Sequence, residues 1–150
     1  MERPVRITIF IILFALAGVI VGLIGLSYLS EGLAGLNSVH TDPDPALTQT
    51  WFPYFRIYMW AGALYAFGGL GYLVSAFLLW NFDEQGRKIG LYAGGAIVLA
   101  WGCIQYVSLS FKNPPPLSSL LVGLLALYLL TKEVRQYSSG KIRRKKRKTE

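Results

Sequence analysis

The chain has 150 residues, of which 53% are hydrophobic and only 15% are charged, and its formal net charge is +7. A water-soluble domain of this length needs more charge to cover its surface, so the composition excludes an ordinary soluble globular protein. Because Cys103 is the only cysteine, an internal disulfide and a cysteine-based metal cluster are also excluded.

Four apolar segments fill most of the chain, at residues 7–29, 57–80, 89–110 and 117–130. A helix that crosses the hydrocarbon core of a bilayer needs about 20 apolar residues, and the first three segments reach that length. The fourth covers only about 21 Å as a helix, although Pro116 and Lys132 can extend it because a lysine can reach outward from its buried stem. None of the segments alternates apolar and polar residues, which favours helices over barrel strands.

We therefore predict an all-α polytopic membrane protein with four transmembrane helices in two antiparallel hairpins. The transmembrane domain is expected to cover residues 1–137, and its helices are expected at about 7–29, 57–80, 89–110 and 116–137. Arg3 and Arg6 precede the first segment as they would in a signal peptide. The apolar stretch of that segment is longer than the one of a signal sequence, which has about 7–15 residues. No cleavage site of small residues follows it, so it is interpreted as a retained helix.

An external loop is predicted at residues 30–56, because turn-forming residues and prolines crowd positions 37–45. Two alternatives stay open for its first part, residues 30–36: continuation of the first helix, or a position in the membrane interface. His40, Asp42 and Asp44 in this loop are the only cluster with the character of metal ligands. Their spacing matches no known metal-binding loop, and the neighbouring prolines stiffen the chain. A solvated or partner-binding loop is therefore favoured, and a metal site is the weaker alternative.

Glycines recur in the predicted helices at spacings that allow two helix backbones to approach closely. Pairs lie four residues apart in the first and third helices, with Gly25 three residues beyond the first pair, and a heptad pair lies in the second. Bulk at Gly22 or Gly94 is accordingly predicted to disrupt packing. The predicted helix-packing positions are Gly18, Gly22, Gly62, Gly69, Gly90 and Gly94.

Tyr58, Tyr65 and Tyr72 recur at heptad spacing along the second predicted helix. A heptad repeat keeps one seam facing a neighbouring helix, so packing between helices is the favoured interpretation. A lipid, quinone or pigment lying against the tyrosines is the alternative. Gln105 is the most polar residue of the third helix, and an interhelical hydrogen bond is favoured for it over contact with a ligand or a pore.

Basic residues predict the orientation, since lysine and arginine concentrate on the cytoplasmic side. With four spans, the chain start, the connection at residues 81–88 and the chain end fall on one side. The other side carries only Arg56 and Lys112 as basic residues. A multi-pass protein of the cell membrane with both termini in the cytoplasm is therefore expected.

Residues 138–150 are predicted to form a disordered, basic cytoplasmic tail. Each basic residue near an anionic membrane surface is attracted by about 1 kcal/mol, so contact with anionic lipid headgroups or an acidic partner is expected, while a nucleic-acid partner is not. The basic residues are Lys141, Arg143, Arg144, Lys145, Lys146, Arg147 and Lys148.

The sequence contains no pattern that identifies a reaction. None of the four apolar cores contains Asp, Glu, Lys, Arg or His, and the motifs of serine hydrolases, zinc proteases, nucleotide sites and dithiol sites are missing. No catalytic residue and no cofactor is predicted.

The favoured function is a non-catalytic integral membrane subunit that packs against other membrane subunits, or against copies of itself, and stabilises an assembly. One alternative is a small oligomeric transporter or channel lined by Gln105, Ser75 and the tyrosines. The other is a membrane enzyme that acts on a lipid or quinone through His40, Asp42 and Asp44.

Overall fold

The structure, a computed structural model, describes residues 5–41, 45–111 and 117–138, and this part of the chain contains helices and turns but no strand. The elements in order are α1 (Val5–Thr41), α2 (Pro45–Trp80), α3 (Glu84–Phe111), α4 (Leu117–Leu124), a 3-10 helix (Leu125–Leu130) and α5 (Lys132–Ser138). The all-α fold class is therefore confirmed.

Among the described residues, three helices are long and apolar enough to cross a membrane. They are Val5–Thr41, Trp51–Trp80 and Glu84–Val107, and a fourth span is present if Leu117–Leu130 and Lys132–Ser138 count as one bent unit. These helices support the interpretation of the chain as a multi-pass membrane protein.

The external loop predicted at residues 30–56 is wrong in its extent, because α1 continues to Thr41 and α2 already begins at Pro45. Helix contacts explain the difference: Gly32 packs against Met59, and Gly35 packs against the ring of Phe55. Pro45 is compatible with the helix because the first turn requires no backbone N–H from it. Asp42 and Asp44 lie outside the described residues.

The order of the contacts shows that neighbouring helices run antiparallel. Going down α1 from Gly35 to Gly18, the partners on α2 progress from Phe55 to Tyr72. The contacts in the same way make α3 antiparallel to α2, and α4 antiparallel to α3. α4 lies against α3 and also contacts α1. The Tyr72 side chain of α2 donates a hydrogen bond to the Val122 carbonyl of α4.

The start of α1, the α2–α3 turn, the end of the 3-10 helix and α5 lie at one end of the bundle. The ring of Phe10 lies 4.6 Å from that of Tyr128, and the ring of Phe82 lies 4.8 Å from that of Tyr137. We call this the basic end, because it carries Arg6, Arg87, Lys88, Lys132 and Arg135. The opposite end, where α1 finishes and α2 starts, is called the His40 end.

The α2–α3 turn is tight, and two side-chain hydrogen bonds to the backbone hold it. The Asp83 carboxylate accepts a hydrogen bond of 2.8 Å from the Gln85 N–H, and the Ser75 hydroxyl donates one of 2.6 Å to the Gly86 carbonyl. Phe82 adopts a φ of 62°, a left-handed conformation that costs a non-glycine residue roughly 1–2 kcal/mol. Its ring contact with Tyr137 offsets part of that cost and ties the turn to α5.

The fourth helix differs from the continuous helix predicted at residues 116–137. It changes from α to 3-10 geometry after Leu124 and bends by 68° between Leu117–Leu130 and α5. Thr131 has an extended ψ of 148° and makes the break. Because a 3-10 helix rises about 2.0 Å per residue, the segment from Leu117 to Leu130 covers about 24 Å, more than the same residues would as an α-helix.

Candidate functional site

Direct backbone contact joins α1 and α2 at glycines. A Cβ atom added at Gly25 would lie 2.8 Å from the Gly62 carbonyl oxygen, and one added at Gly69 would lie 2.6 Å from the Gly18 carbonyl oxygen. Real Cβ atoms do not approach other atoms so closely, so any side chain there would force the helices apart. The glycines that lie at this helix contact are thus Gly18, Gly25, Gly62 and Gly69.

Gly22 differs from the other glycines of this interface. Its own backbone lies against Gly69, but a Cβ added at Gly22 would meet no atom within 4 Å. A side chain at Gly22 would point away from α2, so the prediction that bulk there disrupts the bundle needs correction. Spacing alone could not show this, because it places a residue near a contact without giving the direction of its Cβ.

Gly90 and Gly94 make the corresponding close contacts of α3. A Cβ added at Gly90 would lie 2.6 Å from the Ser75 hydroxyl oxygen, and one added at Gly94 would lie 2.9 Å from the Gly123 carbonyl oxygen. The two glycines therefore admit α2 and α4 to the same face of α3.

Tyr72 is completely buried where α1, α2 and α4 meet. Its ring stacks on that of Phe14 with a centroid separation of 3.9 Å. Its hydroxyl group lies 2.8 Å from the Val122 carbonyl oxygen and 3.1 Å from the Gly123 carbonyl oxygen, directly before the change to 3-10 geometry. A side chain that donates a hydrogen bond to helix carbonyl oxygens is a recognised cause of local helix distortion.

The other two tyrosines of the heptad face Tyr28 of α1. The Tyr28 ring lies 6.0 Å from the buried ring of Tyr65 and 5.7 Å from the half-buried ring of Tyr58. Tyr65 also shares a side-chain hydrogen bond with Ser119 of α4. These rings pack on protein rings within the bundle. Tyr28 was missed in the sequence because no periodic pattern marks it.

The remaining predicted positions are not gathered into one site. Gln105 is half-buried in α3, while His40 is exposed near the end of α1. Within the described ranges, no group of three His, Cys, Asp or Glu residues could hold a metal ion. Asp42, Asp44 and the seven basic tail positions lie outside the described residues.

The described interior is apolar apart from a few hydroxyl groups. Its buried polar residues are Ser75, Ser119 and Ser138, and none of the described charged side chains is buried. Ser75 and Tyr72 donate to backbone carbonyls. These two bonds join neighbouring helices, whereas the Ser138 hydroxyl donates to the Arg135 carbonyl within α5.

An open cleft lies between α1 and α2 at the His40 end, with a volume of about 610 Å³. Its apolar wall includes Leu33, Leu36 and Met59, and its polar groups come from Asn37, His40 and Arg56. The Arg56 guanidinium carbon lies 5.7 Å from the centre of the Phe52 ring, which also lines the cleft. No sequence pattern indicates this cleft, because all of its lining residues except Met59 fall in the segment predicted as a loop.

A second surface feature is an exposed stripe along α3. Tyr92, Leu99 and Tyr106 are 80%, 64% and 69% exposed. Gly95 and Gly102 lie between them, are also exposed, and have open space in the direction of a Cβ. The alternating spacing of three and four residues places all five on one side of the helix. We call these five residues the α3 stripe.

No protein-family model, curated protein or solved structure matches this chain. The function is therefore inferred from the geometry of the molecule.

Proposed function

We propose that this chain is a non-catalytic integral membrane subunit that packs against other membrane subunits and stabilises their assembly. The observation that carries the proposal is the described interior, which is filled by apolar side chains and by hydroxyl groups that bond to other helices. Membrane enzymes and proton-coupled transporters usually place ionisable groups in their interior. An interior built for packing fits a structural subunit better.

The proposed arrangement is four spans in two antiparallel hairpins in the cell membrane. Two exposed tryptophans on α2, Trp60 and Trp80, lie about 30 Å apart at the rise of an α-helix. This separation matches the hydrocarbon core, and tryptophan favours both of its boundaries. The clustering of basic residues at one end supports a cytoplasmic basic end and an external His40 end.

The orientation can be tested by labelling single cysteines from outside intact cells. In a Cys103→Ser background, Asp42→Cys is expected to react with a membrane-impermeant maleimide, and Lys145→Cys is expected to react only after the cells are lysed. The physical reason is the strong preference of basic segments for the cytoplasm. Labelling of Lys145→Cys but not of Asp42→Cys in intact cells would contradict the arrangement.

We propose the α3 stripe as the surface that receives a transmembrane helix of a partner subunit. Gly95 and Gly102 would let a second helix approach closely. Tyr92 supports this placement, because eight residues after Glu84 it lies about 12 Å along the helix from the basic end. A tyrosine hydroxyl at that depth gains from a hydrogen-bond partner that lipid tails do not offer.

Leucine substitutions at the two stripe glycines test the proposed assembly. Gly95→Leu and Gly102→Leu are expected to fold normally, because each Cβ points into open space, but to lose co-purified subunits in mild detergent. Gly22→Leu is the matched control, since it adds the same bulk at a glycine whose Cβ would also meet no atom within 4 Å. If both stripe variants retain the partners and particle mass of the wild type, the stripe faces lipid and its assignment as the partner-binding surface is wrong.

A further inference from the structure

The geometry points to a second binding site, for the phosphate headgroup of an anionic phospholipid, in the cleft between α1 and α2 at the His40 end. This inference uses the membrane boundary described above but is independent of any partner subunit. The cleft volume of about 610 Å³ lies within the usual size range of ligand sites, about 300–1,000 Å³.

The polar groups of the cleft suit an anion. Arg56 supplies a guanidinium group, His40 an imidazole and Asn37 an amide, while none of the described residues that line the cleft carries a carboxylate. A guanidinium group binds a phosphate through two parallel hydrogen bonds. The Phe52 ring, 5.7 Å from the guanidinium carbon, favours one position of this cation through a cation–π contact.

The apolar and polar groups of the cleft follow each other along the membrane normal in the order that a lipid requires. Met59 is adjacent to the boundary residue Trp60, and Leu33 follows Gly32, which packs on Met59. Arg56 lies one helical turn beyond Trp60, or about 6 Å, which is the depth of the headgroup layer outside the hydrocarbon core. His40 lies about two turns beyond Leu33. An acyl chain would thus meet the apolar wall while its phosphate meets Arg56.

These features favour a lipid over a free phosphate ion. A soluble anion would gain nothing from Leu33, Leu36 and Met59, which form much of the wall. A phospholipid uses both the apolar and the cationic part of the cleft. Arg56 is the residue expected to dominate binding, and His40 and Asn37 are expected to add weaker contacts to the headgroup.

Photo-crosslinking of the full-length chain in nanodiscs tests this site. The probe is a phosphatidylglycerol that carries a photoreactive group close to its phosphate, and the crosslinked peptides are mapped by mass spectrometry. Crosslinks are expected within residues 33–40 and 52–59. Arg56→Gln should lower their yield about tenfold, since it removes a charge-assisted pair of hydrogen bonds, and Arg56→Lys should lower it less.

Arg135→Gln is the matched control, because it removes an exposed guanidinium group at the basic end and should leave the crosslinks at the His40 end unchanged. Unlabelled phosphatidylglycerol should compete with the probe, whereas the same concentration of soluble glycerophosphate should not. The site would be overturned if Arg56→Gln gave the crosslink yield of the wild type while thermal unfolding showed that its fold is intact. Equal competition by glycerophosphate would overturn its assignment to a lipid.

Discussion

Alanine at Gly25 or at Gly69 is expected to lower the free energy of unfolding by about 1–3 kcal/mol, which is the usual cost of overpacking a well-packed interior. The added Cβ atoms would lie 2.8 Å from the Gly62 carbonyl oxygen and 2.6 Å from the Gly18 carbonyl oxygen, respectively. Because the obstructing atoms belong to the backbone, α1 and α2 must separate to admit them. Reversible unfolding in mixed detergent micelles measures the loss.

Gly22→Ala is the matched control for this prediction. It makes the same substitution in α1, but its Cβ meets no atom within 4 Å. It should therefore keep or slightly raise stability, because alanine favours a helix over glycine by up to about 1 kcal/mol. Equal stability changes at Gly22, Gly25 and Gly69 would show that the backbone contact between α1 and α2 is not present as described.

Tyr72→Ala is expected to cost about 3–5 kcal/mol, the range observed when a large buried ring is truncated. The ring is completely buried and stacks on Phe14 at 3.9 Å. Tyr72→Phe keeps that ring and removes only the hydrogen bond to the α4 carbonyls. Its expected cost is smaller, about 0.6–1.5 kcal/mol, and backbone amides next to Gly123 should exchange hydrogen faster.

Tyr106→Phe is the control for the hydroxyl, since this tyrosine of α3 is 69% exposed. It should change stability by no more than about 0.5 kcal/mol. A Tyr72→Phe variant as stable as Tyr106→Phe, with unaltered exchange in α4, would contradict the role assigned to the Tyr72 hydroxyl.

The apolar segments predicted the helical fold because a span of about 20 apolar residues is dictated by bilayer thickness alone. The ends of the helices were less predictable. Residues 30–41 resemble a loop in composition, yet Gly32 and Gly35 pack on α2 and keep α1 helical. The change to 3-10 geometry after Leu124 also escaped prediction, since it coincides with a contact from Tyr72, a residue distant in the chain.

The candidate sites were predictable only in part. Glycine spacing indicated close helix contacts, and the structure has them at Gly18, Gly25, Gly69 and Gly94. A spacing cannot give the direction of a Cβ, so the disruption expected from bulk at Gly22 needs correction. The cleft at the His40 end depends on Asn37 of α1 and Arg56 of α2 lining the same space. Such a juxtaposition follows from tertiary packing, which no local pattern encodes.

The mass and composition of the particle extracted in mild detergent test the proposed function most directly. The chain itself has a mass of 16.7 kDa. Native mass spectrometry of the affinity-purified wild type is expected to show a larger complex that contains at least one different membrane protein in a fixed ratio. A particle that contains only this chain, whether as a monomer or as a homo-oligomer, would contradict the proposed function. A homo-oligomer that conducts a solute in proteoliposomes would establish the transporter alternative.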